Sequence, residues 1–290
     1  MLDKILVVGS DGLIGRALVA RLHEFGASVV ETTRRRESVD PSSGRILLDL
    51  ADTELWRPKD SYRTAVICAA IGNYEECRSN PVNSRKVNVV GTLQVARALA
   101  EAGTKITYLS TNAVFDGNSP TRKVNDPLAP QSEYGRQKAD VELQLAEFGD
   151  RVCILRLTKV FPKQPPLLTG WVSSMRNDET IHPFFDLSCA PVSLDQVTEV
   201  LVRLVTYHNA AGIWHLAGDR DLSYAAVARY LADRYELSAQ LIQPISVKAT
   251  PYYSEHIPRY TSLECSRIRD ELGIETGDVW RTLDALMEDP

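Results

Sequence analysis

Lys4-Ile-Leu-Val-Val-Gly9-Ser-Asp-Gly12-Leu-Ile-Gly15-Arg-Ala-Leu-Val-Ala-Arg-Leu22 decides the fold. The aliphatic run before Gly9 suits a short strand buried on both faces, and Arg16–Leu22 repeats its apolar residues at helical spacing. Glycines at 9, 12 and 15 join the two. A strand that passes through a glycine turn into a helix N-terminus points backbone N–H groups at an anion, which makes a pyrophosphate cradle. Glycines alone are a weak signal, because many turns need them for backbone reasons. The strand, turn and helix around them assign dinucleotide binding to Gly9, Gly12, Leu13, Ile14 and Gly15.

The same rhythm continues along the chain. Apolar runs at Ile5–Val8, Ser28–Thr32, Arg45–Leu48, Ala65–Cys68, Ile106–Leu109 and Val152–Leu155 alternate with stretches long enough for helical crossovers, the longest being Ser79–Ala102 and Ser132–Phe148. This predicts an α/β, Rossmann-like, doubly wound parallel sheet over 1–160, mainly an NADP-binding domain. After Phe161 the prolines at 162, 165 and 166 mark a loop, and short mixed elements follow. Residues 161–290 are expected to form a smaller C-terminal substrate-binding lobe that returns to the sheet near Gly212–Leu216. Two capping boxes place later helices: Ser193-x-x-Gln196 opens one through His208, and Thr261-x-x-Glu264 opens one that stops at Gly273. No internal repeat, low-complexity segment or long linker interrupts the 290 residues.

A net charge of -5 opposes sequence-blind binding of nucleic acid. Five cysteines at 68, 77, 153, 189 and 265, scattered and odd in number, indicate reduced thiols in place of a zinc site or disulfide framework. Histidines 23, 182, 208, 215 and 256 show no ligand spacing, so no metal is expected. No apolar run approaches the ~20 residues of a membrane span. The first strand begins within a few residues of Met1, leaving no room for a signal peptide, so the expectation is a soluble, cytoplasmic protein without membrane contact. Homo-oligomer formation is left open.

Three further stretches carry chemistry. Tyr134-Gly-Arg-Gln-Lys138 sets a phenol and an ammonium one helical turn apart on the same face. A phenol with an ordinary pKa near ~10 is lowered by such a neighbour and can exchange a proton near neutrality. Ser110-Thr111-Asn112-Ala113 follows a central strand, where hydroxyls face the cofactor crevice. At the end of the second strand, where an NAD-binding chain usually carries an acid, the sequence is Thr32-Thr33-Arg34-Arg35-Arg36. Arg34 and Arg35 suit a 2′-phosphate and favour NADP over NAD; the competing reading is a solvated charge run.

Together with Asp49-Leu50, Ala69-Ala70, Val87-Asn88-Val-Val-Gly91-Thr92, Leu155-Arg156, Val160-Phe161, Cys189-Ala-Pro191-Val192 and Ser262-Leu263, these motifs resemble the extended short-chain dehydrogenase/reductases. The resemblance spans nearly the whole chain. It lies in the branch of sugar-nucleotide reductases and epimerases, with the dTDP-4-dehydrorhamnose reductases as the nearest pattern. It implies an NAD(P)-dependent oxidoreductase that reduces a keto group on a nucleotide-activated deoxysugar with NADPH. By that resemblance Tyr134 is the general acid, Lys138 lowers its pKa and holds the nicotinamide ribose, Thr111 binds the substrate carbonyl, and Asn88 supports the proton relay. Asp49 and Leu50 approach the adenine, Ala69 and Ala70 line the cofactor path, and Asn112, Ala113 and Arg156 face the sugar nucleotide. A structural ion pair is the competing reading for Arg156.

The departures cluster around the substrate. Asn112-Ala113 stands where rhamnose-type reductases carry Asp-Tyr and 4,6-dehydratases carry Asp-Glu, Lys123-Val-Asn-Asp126-Pro replaces the usual acidic approach to the tyrosine, and Ile257-Pro258-Arg259 replaces an Arg-Pro pair. They leave the sugar open. A nucleotide-sugar epimerase is the nearest alternative, and a catalytically silent regulatory or binding subunit is the alternative of another class.

Overall fold

The computed structural model describes residues 4–207, 210–250 and 257–288. Strands β1 (Lys4–Val8), β2 (Ser28–Thr33), β3 (Arg45–Leu47), β4 (Thr64–Ile67), β5 (Lys105–Thr111) and β6 (Val152–Leu157), with Gly212–Leu216, form a seven-stranded parallel sheet. Their order across the sheet is Gly212–Leu216, β6, β5, β4, β1, β2, β3. The chain reverses direction across the sheet at β1 and β4, so a crevice opens at their carboxyl ends, where Gly9 and Ala69 lie.

The continuous apolar run of β1 has a direct cause. Ile5 and Val7 pack on one face with Leu18 and Leu22 of helix α1 (Leu13–Glu24) and with Val197, Leu201 and Leu204 of the helix Leu194–Thr206. Leu6 and Val8 pack on the other with Val95 and Leu99 of the helix Thr92–Glu101 and with Val141 and Leu145 of the helix Glu133–Leu145. Both faces are buried, so alternation would be penalised. Gly212–Leu216 returns to the sheet beside β6, with Trp214 opposite Leu155. Phe161, Leu168, Val172, Val227, Leu231, Leu283 and Leu286 form a separate cluster outside the sheet.

Two helical expectations need correction. Ser79–Ala102 is broken: Asn80 ends the helix Tyr74–Ser79, Pro81 starts Pro81–Arg85, and Lys86–Gly91 winds as a wider π turn before Thr92–Glu101. Proline tolerates only a first-turn position, and the extra residue of a π turn redirects Asn88. The Thr261-x-x-Glu264 capping box does not form. Thr261 instead meets the Asp221 carboxylate through its N–H at 2.5 Å and its hydroxyl at 2.8 Å, and the helix begins at Ser266. That helix does stop at Gly273, in the left-handed conformation. The Ser193 box is present, with Ser193 Oγ accepting from the Gln196 N–H at 3.0 Å. Its helix ends at Thr206, and the expected end at His208 lies outside the described residues, as does His256. No helix among the described residues is long and apolar enough to cross a membrane.

Candidate functional site

The glycine turn is built by contact. A Cβ on Gly15 would lie 2.2 Å from the Gly9 carbonyl oxygen, and one on Gly9, whose φ is +89°, would lie 2.7 Å from the Ala69 side chain. Side chains there would push α1 off the sheet. Gly12 is the N-cap of α1 without a side-chain capping bond, so the first-turn N–H groups of the helix have no side chain over them. Hydroxyls at the end of β2 hold the turn: Thr32 Oγ1 accepts from the Gly9 N–H at 2.9 Å, Ser10 Oγ donates to the Thr32 carbonyl at 2.9 Å, and Thr33 Oγ1 donates to Asp11 at 2.7 Å. These roles of Thr32, Thr33 and Ser10 have no sequence signature.

Arg34 and Arg35 are exposed beside this turn. Asp11 is an acid within electrostatic reach of Arg35, but it is already bound by Thr33 and by an ion pair with Arg45. Partial burial opposes its ionisation, yet these partners and Arg35 hold its carboxyl below the ordinary range. A carboxylate so engaged has few lone pairs left for ribose hydroxyls, whereas the two arginines make no side-chain hydrogen bond with any described residue. The donor set therefore fits a 2′-phosphate. Asp49 closes a turn by accepting from the Ala51 N–H at 2.9 Å, Leu50 is buried with its carbonyl against Gly91, Ala69 is half-buried under Gly9, and Ala70 is exposed.

Thr111, Asn112, Ala113 and Tyr134 line one cleft of about 460 Å³. Ser132 caps the tyrosine helix, accepting from the Gly135 N–H at 3.1 Å, which sets Tyr134 in the first turn. Thr111 accepts from the Ala113 N–H at 3.2 Å and holds the chain that carries Asn112. The Tyr74 ring packs on that of Tyr134 with centroids 5.2 Å apart. Tyr74, Gln131, Lys159, Phe184, Leu187 and Tyr224 also line the cleft and were not read from the sequence, because they come from loops and helices far apart along the chain.

The Tyr134–Lys138 pair differs from expectation. Lys138 is buried; its Nζ donates to the Leu109 carbonyl at 2.7 Å and sits 4.5 Å from the Tyr108 ring centroid and 5.8 Å from that of Tyr134. Burial lowers its pKa to about 8, against the pull of Glu142, Cys68 and Cys77. Burial, with Tyr74 and Cys77 nearby, pushes the Tyr134 phenol well above its ordinary value. Desolvation, and not the lysine one turn away, decides the direction of the shift, so the phenol keeps its proton at neutral pH.

Asn88 and Arg156 stand behind the cleft. The Asn88 amide accepts from the Ile71 N–H at 2.7 Å and donates to the Ile71 carbonyl at 2.9 Å and to Gln137 at 2.8 Å, so it clamps the loop after β4. The π turn points it there, and it makes no hydrogen bond to Lys138. Arg156 is 1% exposed and paired with Glu142, Nη2 to Oε2 at 2.7 Å. Its Nη1 reaches the Val124 carbonyl at 3.3 Å and His215 Nε2 at 3.2 Å, and its guanidinium lies 4.9 Å from the Phe115 ring centroid. The structure thus places Arg156 in the competing reading, a buried ion pair under the wall of the cleft.

A family model described as "RmlD substrate binding domain" matches residues 3–289. Among curated proteins, the chain is similar to a dTDP-4-dehydrorhamnose reductase of Sinorhizobium fredii, 29% identical over 223 residues that cover 72% of this chain and 74% of that one. It is also similar to the methionine adenosyltransferase 2 subunit beta of Xenopus laevis, at 24% identity over 93% of this chain and 83% of that one. Among solved structures, a dTDP-4-dehydrorhamnose reductase from Bacillus anthracis in complex with NADP superposes with a TM-score of 0.80 at 18% identity, over 98% of this chain and 97% of that chain, a likeness of fold.

Proposed function

Because the chain belongs to the RmlD substrate binding domain family, we propose that it is an NAD(P)-dependent oxidoreductase of the extended short-chain dehydrogenase/reductase type. In this reading it reduces a keto group on a nucleotide-activated deoxysugar, with NADPH as the donor. The observation that carries it is that Tyr134, whose phenol burial pushes above its ordinary value, lines the same cleft as Thr111. Reduction needs an acid at the carbonyl oxygen, and a tyrosine whose pKa is raised holds its proton until alkoxide develops.

The glycine turn, Arg34, Arg35 and Lys138 would hold the cofactor, which when bound supplies hydride to the carbonyl carbon. Thr111 orients the carbonyl oxygen through its hydroxyl. Tyr134 gives that oxygen its proton, so C=O becomes CH–OH, and the phenolate regains a proton from solvent. Lys138 places a positive charge behind the phenolate while it exists. Residues 161–290 supply the substrate lobe, and Asn88 keeps the Ile71 loop in place. The relatives named for dTDP-4-dehydrorhamnose reduction, and the NADP in one of them, support this reading.

The likeness to an adenosyltransferase's beta subunit favours a second reading, a binding subunit without turnover. Purified protein incubated with NADPH and a 4-keto-6-deoxy nucleotide sugar separates the two. Stoichiometric NADPH oxidation is expected; its absence across several nucleotide bases rejects the reductase. The same assay with 6-hydroxy nucleotide sugars should show no loss of water by mass spectrometry, because the Asn112 amide and the Ala113 methyl offer no acid or base for elimination.

The cofactor assignment is tested separately. Arg34→Ala with Arg35→Ala is expected to weaken NADPH about tenfold or more, with little change for NADH, in fluorescence titrations. Equal losses for both cofactors would leave the arginines as a solvated run.

A further inference from the structure

Lys159 follows β6 at the point where the chain leaves the sheet, and its backbone is fixed there. The Lys159 carbonyl accepts from the Val192 N–H at 2.9 Å, and the next residue pairs with Val192 in a short parallel ladder. The side chain is exposed, with Nζ 5.5 Å from the Phe161 ring centroid, and it makes no ion pair or hydrogen bond with any described residue. Arginines nearby behave differently: Arg122 is paired with Asp116, and Arg156 with Glu142.

Among the described residues that line the cleft of Thr111 and Tyr134, Lys159 is the one that carries a charge; the others are aromatic, aliphatic or neutral polar. A nucleotide-activated sugar brings phosphate charge into whatever cleft receives it. Between apolar walls such as Phe184, Leu187 and Tyr224, an uncompensated phosphate would be costly and a single cation correspondingly effective. A lysine ammonium is a compact charge on a rotatable stem, which suits a phosphate approached from several directions better than planar bidentate pairing.

We propose that Lys159 is the residue that binds a phosphate of the substrate in this cleft and thereby selects nucleotide-linked over free sugars. This rests on the reductase reading given above. The test is calorimetric titration of wild type, Lys159→Met and Lys159→Arg with uridine and thymidine diphosphates, the parent nucleosides and free glucuronate. Wild type is expected to bind at least one diphosphate about tenfold or more tightly than Lys159→Met does, with Lys159→Arg close to wild type and the nucleosides unaffected. Methionine keeps the aliphatic length on an exposed site, so folding is not at stake.

Equal diphosphate affinity in wild type and Lys159→Met overturns the proposal, as does failure of both diphosphates to bind wild type. Glucuronate showing the larger dependence on Lys159 also overturns it, by moving the anion to a sugar carboxylate. Kinetics separate its failure from that of the reductase reading. Unchanged KM in Lys159→Met with turnover intact rejects the phosphate role alone. A Lys159-dependent diphosphate step in a protein that never oxidises NADPH rejects the reductase and keeps the site.

Discussion

Tyr134→Phe is expected to lower turnover by about 10²–10⁴-fold, the usual loss when a general acid is removed, while the protein folds and binds cofactor much as before. The hydroxyl makes no hydrogen bond with any described residue, so its removal strands no donor or acceptor, and the ring contact with Tyr74 survives. The wild-type rate should also fall as pH rises through about 8, because Lys138 loses its ammonium charge there. The phenol remains protonated across that range, so this limb belongs to Lys138. Steady-state rates across pH check both statements. Near-normal turnover in Tyr134→Phe would reject Tyr134 as the acid.

The direction of the Tyr134 shift shows where sequence reasoning stops. Spacing places Tyr134 and Lys138 on one helix face, and the structure keeps them there. Whether attraction or desolvation decides their protonation depends on how deeply the helix beds against β5, which no local pattern records. The β1–glycine–α1 unit was legible because its constraints are local: Gly15 must touch Gly9, and β1 must be apolar on both faces. Strand positions followed for the same reason.

Contacts distant in sequence were not legible. Thr261 has a capping-box partner three residues on, yet Asp221 takes its N–H and hydroxyl from 40 residues away. Asn88 lies in a helix-like stretch, but the break at Pro81 and the π turn after Arg85 decide what it faces. Tyr74 and Lys159 reach the cleft from the segments after β4 and β6, which are far apart in sequence, and nothing in their neighbours announces it. Arg156 offered two readings, and only burial could choose.

That burial sets the second large effect. Glu142→Leu is expected to destabilise the protein by about 3–5 kcal/mol, because it leaves the Arg156 guanidinium desolvated without its carboxylate. The loss spreads through one network: Ser110 Oγ donates to the Glu142 carboxylate, and Arg156 binds both of its oxygens. Burial and the Arg156 charge lower His215 to about 4, so at neutral pH its Nε2 is free to accept from Arg156, while Nδ1 lies 3.2 Å from the Glu264 carbonyl, to which it donates. His215 is therefore neutral when folded and charged more readily when unfolded. Its contribution to stability is present above about 6.5 and is lost as pH falls toward about 4. Adding Arg156→Met to Glu142→Leu removes the stranded charge, and the double variant should recover much of the loss, since an apolar pair of similar volume costs little in place of a buried ion pair. Urea unfolding at neutral pH measures the cycle. A cost below about 1 kcal/mol for Glu142→Leu, or a double variant no more stable than the single, would mean that the pair is not what holds β6 to the tyrosine helix.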